Sequence, residues 1–224
     1  MREEATLIAA VADGAGSASL AHLGAELAVS TVMSIAQLGV RANRYDYEQV
    51  LRDAAALARK RVLEEATARN VMPRQLACTL LIVIAAPVGG AALQIGDGVI
   101  VVRSSNDPWR WMFWPQKGEY ANATYFLTDD SALSEAQVAA LPNEVQDIAM
   151  TTDGLEGLAL HYASRSAHEP FFRTAFASVH AAQGEGELTA LSTALSDFLR
   201  SPPIQTRTDD DTSLVLATRR GRSE

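Results

Sequence analysis

Apolar and polar positions along the chain fall into blocks that predict a definite series of elements. Residues 7–12 form a short continuous apolar run that stops at Asp13 and Gly14, the pattern of a buried strand entering a sharp loop. Ser17 or Ser19 can then cap a helix that continues through Leu20, Leu23, Leu27, Val32 and Ile35 to about Leu38, apolar on most faces and therefore packed against a sheet. Over 47–69, Val50, Leu51, Leu57, Val62 and Leu63 take one side of a second helix. Arg52, Arg59, Lys60, Glu64 and Glu65 take the other, and the Arg59-Lys60-Arg61 cluster reads as a solvated face.

Residues 79–86 and 91–95 predict a hairpin, and Gly96-Asp97-Gly98 leads into a strand over 99–103. The short connections make these strands antiparallel. Further strands are expected over 124–128, 147–151 and 213–217. Helices are expected over 135–141, 155–162, 171–182 and 188–199, the last broken by Pro202 and Pro203. Between them, 104–122 is irregular and aromatic (Trp109, Trp111, Phe113, Trp114, Tyr120), an insertion or flap whose rings either meet a substrate or anchor the segment to the fold. Helices come early and late with strands mostly between, which is not the alternation of a doubly wound sheet. The expected class is α+β, a sandwich of two largely antiparallel sheets covered by helices.

No repeat, low-complexity tract or linker divides the 224 residues, so one domain over 1–224 is expected. Hydrophobic residues at 48% and charged residues at 21% exclude a disordered chain or a coiled coil. Lys and Arg number 19 against 27 Asp and Glu, a net charge of −8, which is the wrong sign for binding nucleic-acid phosphates. Cys78, the one cysteine, excludes an internal disulfide framework and a thiolate zinc cage, and reads as a small buried apolar residue. The run over 7–12 is too short for a signal peptide and is flanked by Glu3 and Glu4. The apolar stretch 77–93 is interrupted by Pro87, Gly89 and Gly90, as two strands would be and a membrane span would not. A cytoplasmic location without membrane partners is the expectation.

Four acidic sites share one arrangement, an Asp beside Gly or another Asp at a strand end: Asp13-Gly14, Gly96-Asp97, Asp153-Gly154 and Asp209-Asp210. Each alone reads as a turn. Together they can point carboxylates into one cleft, where mutual repulsion calls for a cation, and oxygen donors without His or Cys select Mg²⁺ or Mn²⁺ over zinc.

The segments 11–18 (VADGAGSA), 79–81 (TLL), 96–98 (GDG), 152–155 (TDGL) and 209–212 (DDDT) occur in the order and spacing of the metal-dependent protein phosphatases of type 2C, and 115–124 (PQKGEYANAT) resembles its PphC-like bacterial branch. The resemblance covers nearly the whole chain. It implies a four-layer α-β-β-α sandwich with a two-metal centre at one end of the sheets. Carried over, Asp13 bridges both metals, Gly14 offers its backbone carbonyl, and Asp153 and Asp209 hold the metal on the other side, with Asp210 as neighbour. Asp97 matches a residue that helps hold a third, weaker metal. The implied reaction is hydrolysis of phosphoserine or phosphothreonine in a phosphorylated protein by a metal-activated water, opposing a bacterial Ser/Thr kinase.

Departures from that pattern are also legible. Members carry an earlier strand with an Asp and often a phosphate-gripping Arg, neither of which stands in the six residues before Leu7, so a shortened N-terminus is expected. Ala15 stands where eukaryotic members have His, and Gly157 where an Asp is usual, with Glu156 one position early. His22, His161, His168 and His180 have no ligand spacing. The alternative is a catalytically impaired phosphatase-like domain that binds a phosphoprotein or kinase. Gly14 to Ser19 also mimics a dinucleotide-binding turn, but no acidic residue follows on a second strand.

Overall fold

The structure, a computed structural model, describes residues 6–105, 107–116, 124–208 and 210–220. Two four-stranded antiparallel sheets lie face to face. The first has the order β1 (Leu7–Val11), β2 (Leu80–Ala86), β3 (Gly89–Ile95), β6 (Gln137–Ala140). The second has β10 (Leu214–Thr218), β7 (Val145–Thr151), β4 (Val99–Ser104), β5 (Arg110–Trp111). A small hairpin, β8 (Leu160–His161) with β9 (Ser166–Ala167), stands apart.

Strand alternation explains the layers. Every residue of β2 is buried because both of its faces are covered. Leu80, Ile82 and Ile84 meet the helices α1 (Ala21–Arg41) and α2 (Tyr47–Ala68), whose Val32, Ala36, Val50, Leu51 and Val62 complete that core. Leu81, Val83 and Ala85 point the other way, onto Ile100, Val102, Ile148 and Met150 of the second sheet. The outer face of the second sheet, through Val99, Val101 and Ala149, is covered by Phe172 and Phe176 of α5 (Glu169–Ala181). Near its end, Leu199 of α6 (Thr189–Leu199), Ile204 of α7 (Pro202–Gln205) and Leu158 of α4 (Glu156–Ala159) pack with Leu214. The result is the expected α-β-β-α sandwich.

Several local expectations change. β4 does not extend the β2–β3 hairpin but pairs with β7 in the opposite sheet. The crossing is made at Gly96, whose φ of +102° lies where side-chain-bearing residues are strained. The helix expected over 135–141 is instead the single turn α3 (Ala132–Glu135) followed by β6. Val138 packs on the helical side and Ala139 on the inter-sheet side, so pairing with the open edge of β3 overrides helical propensity. Residues 124–128 form no strand, although Leu127 N–H donates to Cys78 O at 2.8 Å. The helix expected over 155–162 ends at Ala159. Neither Ser17 nor Ser19 caps α1; Ser19 Oγ donates instead to Gln75 Oε1 at 2.8 Å. Asp46 does cap α2, accepting from Gln49 N–H. In the basic cluster of α2, Lys60 and Arg61 are solvated and lie near Glu64, whereas Arg59 is largely covered and donates to Asp129 O.

In the aromatic segment the anchoring role is visible. Trp109 is buried with its ring 5.1 Å from Phe172 and 4.8 Å from Phe176, and Phe113 is buried between the sheets. Trp111 and Trp114 meet edge to face, and Trp114 also meets Tyr162 and lies under the Arg165 guanidinium. Tyr120 lies outside the described residues.

Candidate active site

The acidic residues gather where β1 ends, β2 begins, β3 crosses to β4, and β7 gives way to the turn Asp153–Leu155. Asp13 continues β1 by two residues and is pinned to the start of β2. Its N–H donates to Thr79 Oγ1 at 3.0 Å and its carbonyl accepts from Thr79 N–H at 2.8 Å. Gly14 then bridges to Cys78, and Ala15 N–H donates to Ala77 O, so the backbone on both sides of the carboxylate is fixed.

Asp153 follows β7 by two residues, and its side chain meets that of Asp13. The C-terminal segment is strapped across the same turn. Thr152 Oγ1 donates to Asp211 O at 3.2 Å and accepts from Ser213 N–H at 3.1 Å, while Thr151 Oγ1 donates to Ser213 O at 2.8 Å. Gly154 makes this close approach possible, because a Cβ there would stand 2.3 Å from Asp211 O.

Electrostatics follow from this packing. Half-burial, the Asp153 charge, the contact with Asp153 and the Asp210 charge push Asp13 up to about 7, against a small opposing effect of the Gly14 N–H. Asp153 is also raised, by burial and then by the Asp210 charge, while its bonds to Asp13 and to the Gly154 N–H work the other way. Asp153 Oδ1 is buried with no hydrogen-bond partner. Among the described residues, no three His, Cys, Asp or Glu side chains are grouped tightly enough to enclose an ion; the centre is a pair in contact with a third charge standing off.

Of the sequence-derived candidates, Asp13, Gly14 and Asp153 thus come together. Asp97 lies half-buried in the turn that links the sheets, beside Gly96, whose packing against Thr79 leads back to Asp13. Asp209 lies outside the described residues. Asp210, assigned only a neighbour's place from the sequence, is the described residue whose charge reaches both Asp13 and Asp153. The run Asp209-Asp210-Asp211 offers three carboxylates in a row, and Thr151 and Thr152 hold the backbone of Asp211 and Ser213 that follows Asp210.

An oxygen-only set fits a hard divalent cation, and the crowded charges together with the orphaned Asp153 Oδ1 supply the reason one would bind. Three of the four histidines are engaged away from the acidic pair. His161 Nδ1 is 2.7 Å from Ser164 Oγ, His168 Nδ1 is 3.0 Å from Leu158 O, and His180 Nε2 is 2.9 Å from Asp147 Oδ1. This last contact, to a buried Asp147 that Arg103 also binds, had no counterpart in the sequence reading.

Comparison with known proteins places the chain in a family. A family model described as protein phosphatase 2C matches residues 2–200. Over 208 residues the chain is 39% identical to serine/threonine-protein phosphatase 3 of Escherichia coli (strain K12), covering 92% of this chain and 81% of that protein. Among solved structures it is similar to PppA, a key regulatory component of T6SS in Pseudomonas aeruginosa, with a TM-score of 0.63 at 20% identity over 97% of this chain and 91% of that one. It is also similar to serine/threonine phosphatase Stp1 from Staphylococcus aureus, with a TM-score of 0.62 at 12% identity over 96% and 85%. At such identities these two structures speak for the fold alone.

Proposed function

The chain belongs to the protein phosphatase 2C family, and from that premise we propose that it hydrolyses phosphoserine and phosphothreonine in phosphorylated proteins with Mg²⁺ or Mn²⁺ bound at the Asp13–Asp153 pair. Family and relative together make it a phosphatase. The metal requirement and the residue roles are our reading, carried by one observation: two carboxylates are pressed together, with Asp153 Oδ1 left unpartnered.

Asp13 and Asp153 would hold the cations, with the Gly14 carbonyl and the acidic pair 209–210 completing the set and Asp97 serving a further, weaker ion. When bound, such cations neutralise phosphoryl oxygens and acidify the attacking water. The chain's own contribution is placement. Thr79 fixes the Asp13 backbone, and Thr151 and Thr152 hold the 211–213 strap against the Asp153 turn. Half-burial keeps bulk water from screening the charges. A cysteine mechanism is not available, because burial pushes the Cys78 thiol up to about 12 and the side chain is fully enclosed. The natural opposing partner is a Ser/Thr kinase that installs the same phosphate.

The test is phosphate release from a phosphothreonine peptide in Mn²⁺ and then in excess chelator. Turnover is expected in Mn²⁺, should vanish with chelator, and should fall steeply in Asp13→Asn. Folded wild-type protein that releases no phosphate in Mn²⁺ would overturn the proposal in favour of the impaired, phosphoprotein-binding domain.

A further inference from the structure

Within the aromatic segment, Gln116 stands two residues after Trp114. Gln116 reaches the turn Gly96-Asp97-Gly98 through two bonds: its N–H donates to Gly96 O at 3.4 Å, and its Oε1 accepts from Gly96 N–H at 3.1 Å. Its Nε2 donates to Glu135 O at 2.7 Å, which fixes the orientation of the amide and ties the same residue to α3. From beneath, the fully buried Gln94 donates Nε2 to Gly96 O at 3.1 Å. Both backbone groups of Gly96 are therefore occupied by glutamines. On its remaining side Gly96 is wedged, since a Cβ there would stand 2.6 Å from Thr79 Cγ2 and 3.1 Å from Tyr125 O.

This turn bears a heavy constraint for three residues. It carries the chain from one sheet to the other, requires a positive φ at Gly96, and places Asp97 next to a glycine that packs on Thr79, the residue to which Asp13 is bonded. Without outside support a glycine-flanked turn is a conformationally loose place for a carboxylate. Gln116 supplies that support from a segment itself fastened by Trp109 on Phe172 and Phe176 and by Trp111 Nε1 donating to Arg165 O at 2.8 Å.

We propose that Gln116 is a positioning residue for the cation centre: the aromatic segment is anchored so that Gln116 can lock the Gly96 turn and hold Asp97 toward a bound divalent cation. The proposal rests on the phosphatase reading for the role of Asp97. It assigns to the aromatic segment the task of ordering the acidic centre rather than only covering the sheet.

The probe is Mn²⁺ alone, titrated calorimetrically into the full chain, with phosphopeptide turnover followed in parallel. Gln116→Ala is expected to weaken Mn²⁺ binding at the weaker site about tenfold. It should raise the Mn²⁺ concentration giving half-maximal turnover to a similar degree, with the rate at saturating Mn²⁺ nearly unchanged. Gln116→Glu keeps an acceptor for the Gly96 N–H and loses the donor to Glu135 O, so an intermediate effect is expected, and it serves as the test if the alanine variant does not fold. In an Asp97→Asn background the Gln116 substitutions should add nothing further. Mn²⁺ binding unchanged in both Gln116 variants, or an undiminished effect in Asp97→Asn, overturns the proposal. Wild-type protein that binds Mn²⁺ with this Gln116 dependence but releases no phosphate would leave the clamp standing and remove the phosphatase reading. Turnover indifferent to Gln116 would do the reverse.

Discussion

Strand β7 has a buried carboxylate near its start and leads to another just past its end, and the two are treated in opposite ways. Asp147 is completely enclosed beneath α5. Arg103 donates Nε to its Oδ2 at 2.8 Å and adds a second guanidinium bond, His180 Nε2 lies 2.9 Å from Oδ1, and Trp109 stacks on the Arg103 guanidinium. Asp153, at the other end, faces Asp13 and the charge of Asp210, with one oxygen unpartnered. A carboxylate matched by the protein's own cations belongs to the fold, and one matched only by other carboxylates belongs to something the protein binds. Desolvation is common to both; the presence of a resident counter-charge separates them.

Exchanging the two kinds of loss tests that contrast most severely. Asp13→Asn should cut turnover by about three orders of magnitude, the equivalent of ~4 kcal/mol in the barrier, while the metal-free protein keeps or gains stability. Asp147→Ala should do the opposite. Leaving Arg103 unpaired in a largely buried site costs about 3–5 kcal/mol, so melting falls by roughly 10 °C, with turnover per folded molecule preserved at low temperature. Phosphate release and thermal melts on the same two variants decide it, and equal destabilisation by both would erase the distinction.

The next largest effect concerns the strap. Asp210→Asn should weaken Mn²⁺ binding on the order of 10–100-fold, measured by calorimetry beside Asp209→Asn. A greater loss at Asp209 would return the role to the residue that the family resemblance implies.

A smaller effect is one of pH. Because Asp13 is raised from 3.8 to about 7 in the folded chain, the native state holds its proton more tightly than the unfolded state does. In chelator, this contribution is fully present below the ordinary carboxylate range and is lost as pH rises through about 7. Urea midpoints should therefore decline between pH 5 and pH 8 in wild type and decline less in Asp13→Asn; parallel slopes would show that the pair is not charged as described. Smallest of all, His180→Ala should cost about 1 kcal/mol in the same melts, since Arg103 still matches Asp147.

How far this contrast was legible in the sequence depends on the range of the interactions. Continuous apolar runs such as LLIVIAA in β2 announced strands covered on both faces, and Asp-Gly at the end of such runs announced the site. The segment EAQVAA was misjudged because its residues favour a helix locally, while the open edge of β3 that captures it lies some forty residues earlier. The crossing at Gly96 was hidden for a similar reason, because a short turn looks the same whether it closes a hairpin or changes sheets. The triad of Asp147, Arg103 and His180 joins β7, β4 and α5, and no spacing within one element encodes it. Asp210 was within reach, one position from the Asp209 that the resemblance implies.

The strap at 210–213 has a further consequence for the order in which the protein is made. Asp13, the Gly96 turn and Asp153 are all synthesised before it, and β10 pairs with a strand more than sixty residues upstream. A chain emerging from the ribosome folds its N-terminal parts first. Most of the sandwich can therefore be in place while the acidic centre is still open on one side. Catalytic competence should therefore arrive only once this strap has been made, so that a nascent phosphatase is silent until residues 210–213 are in place.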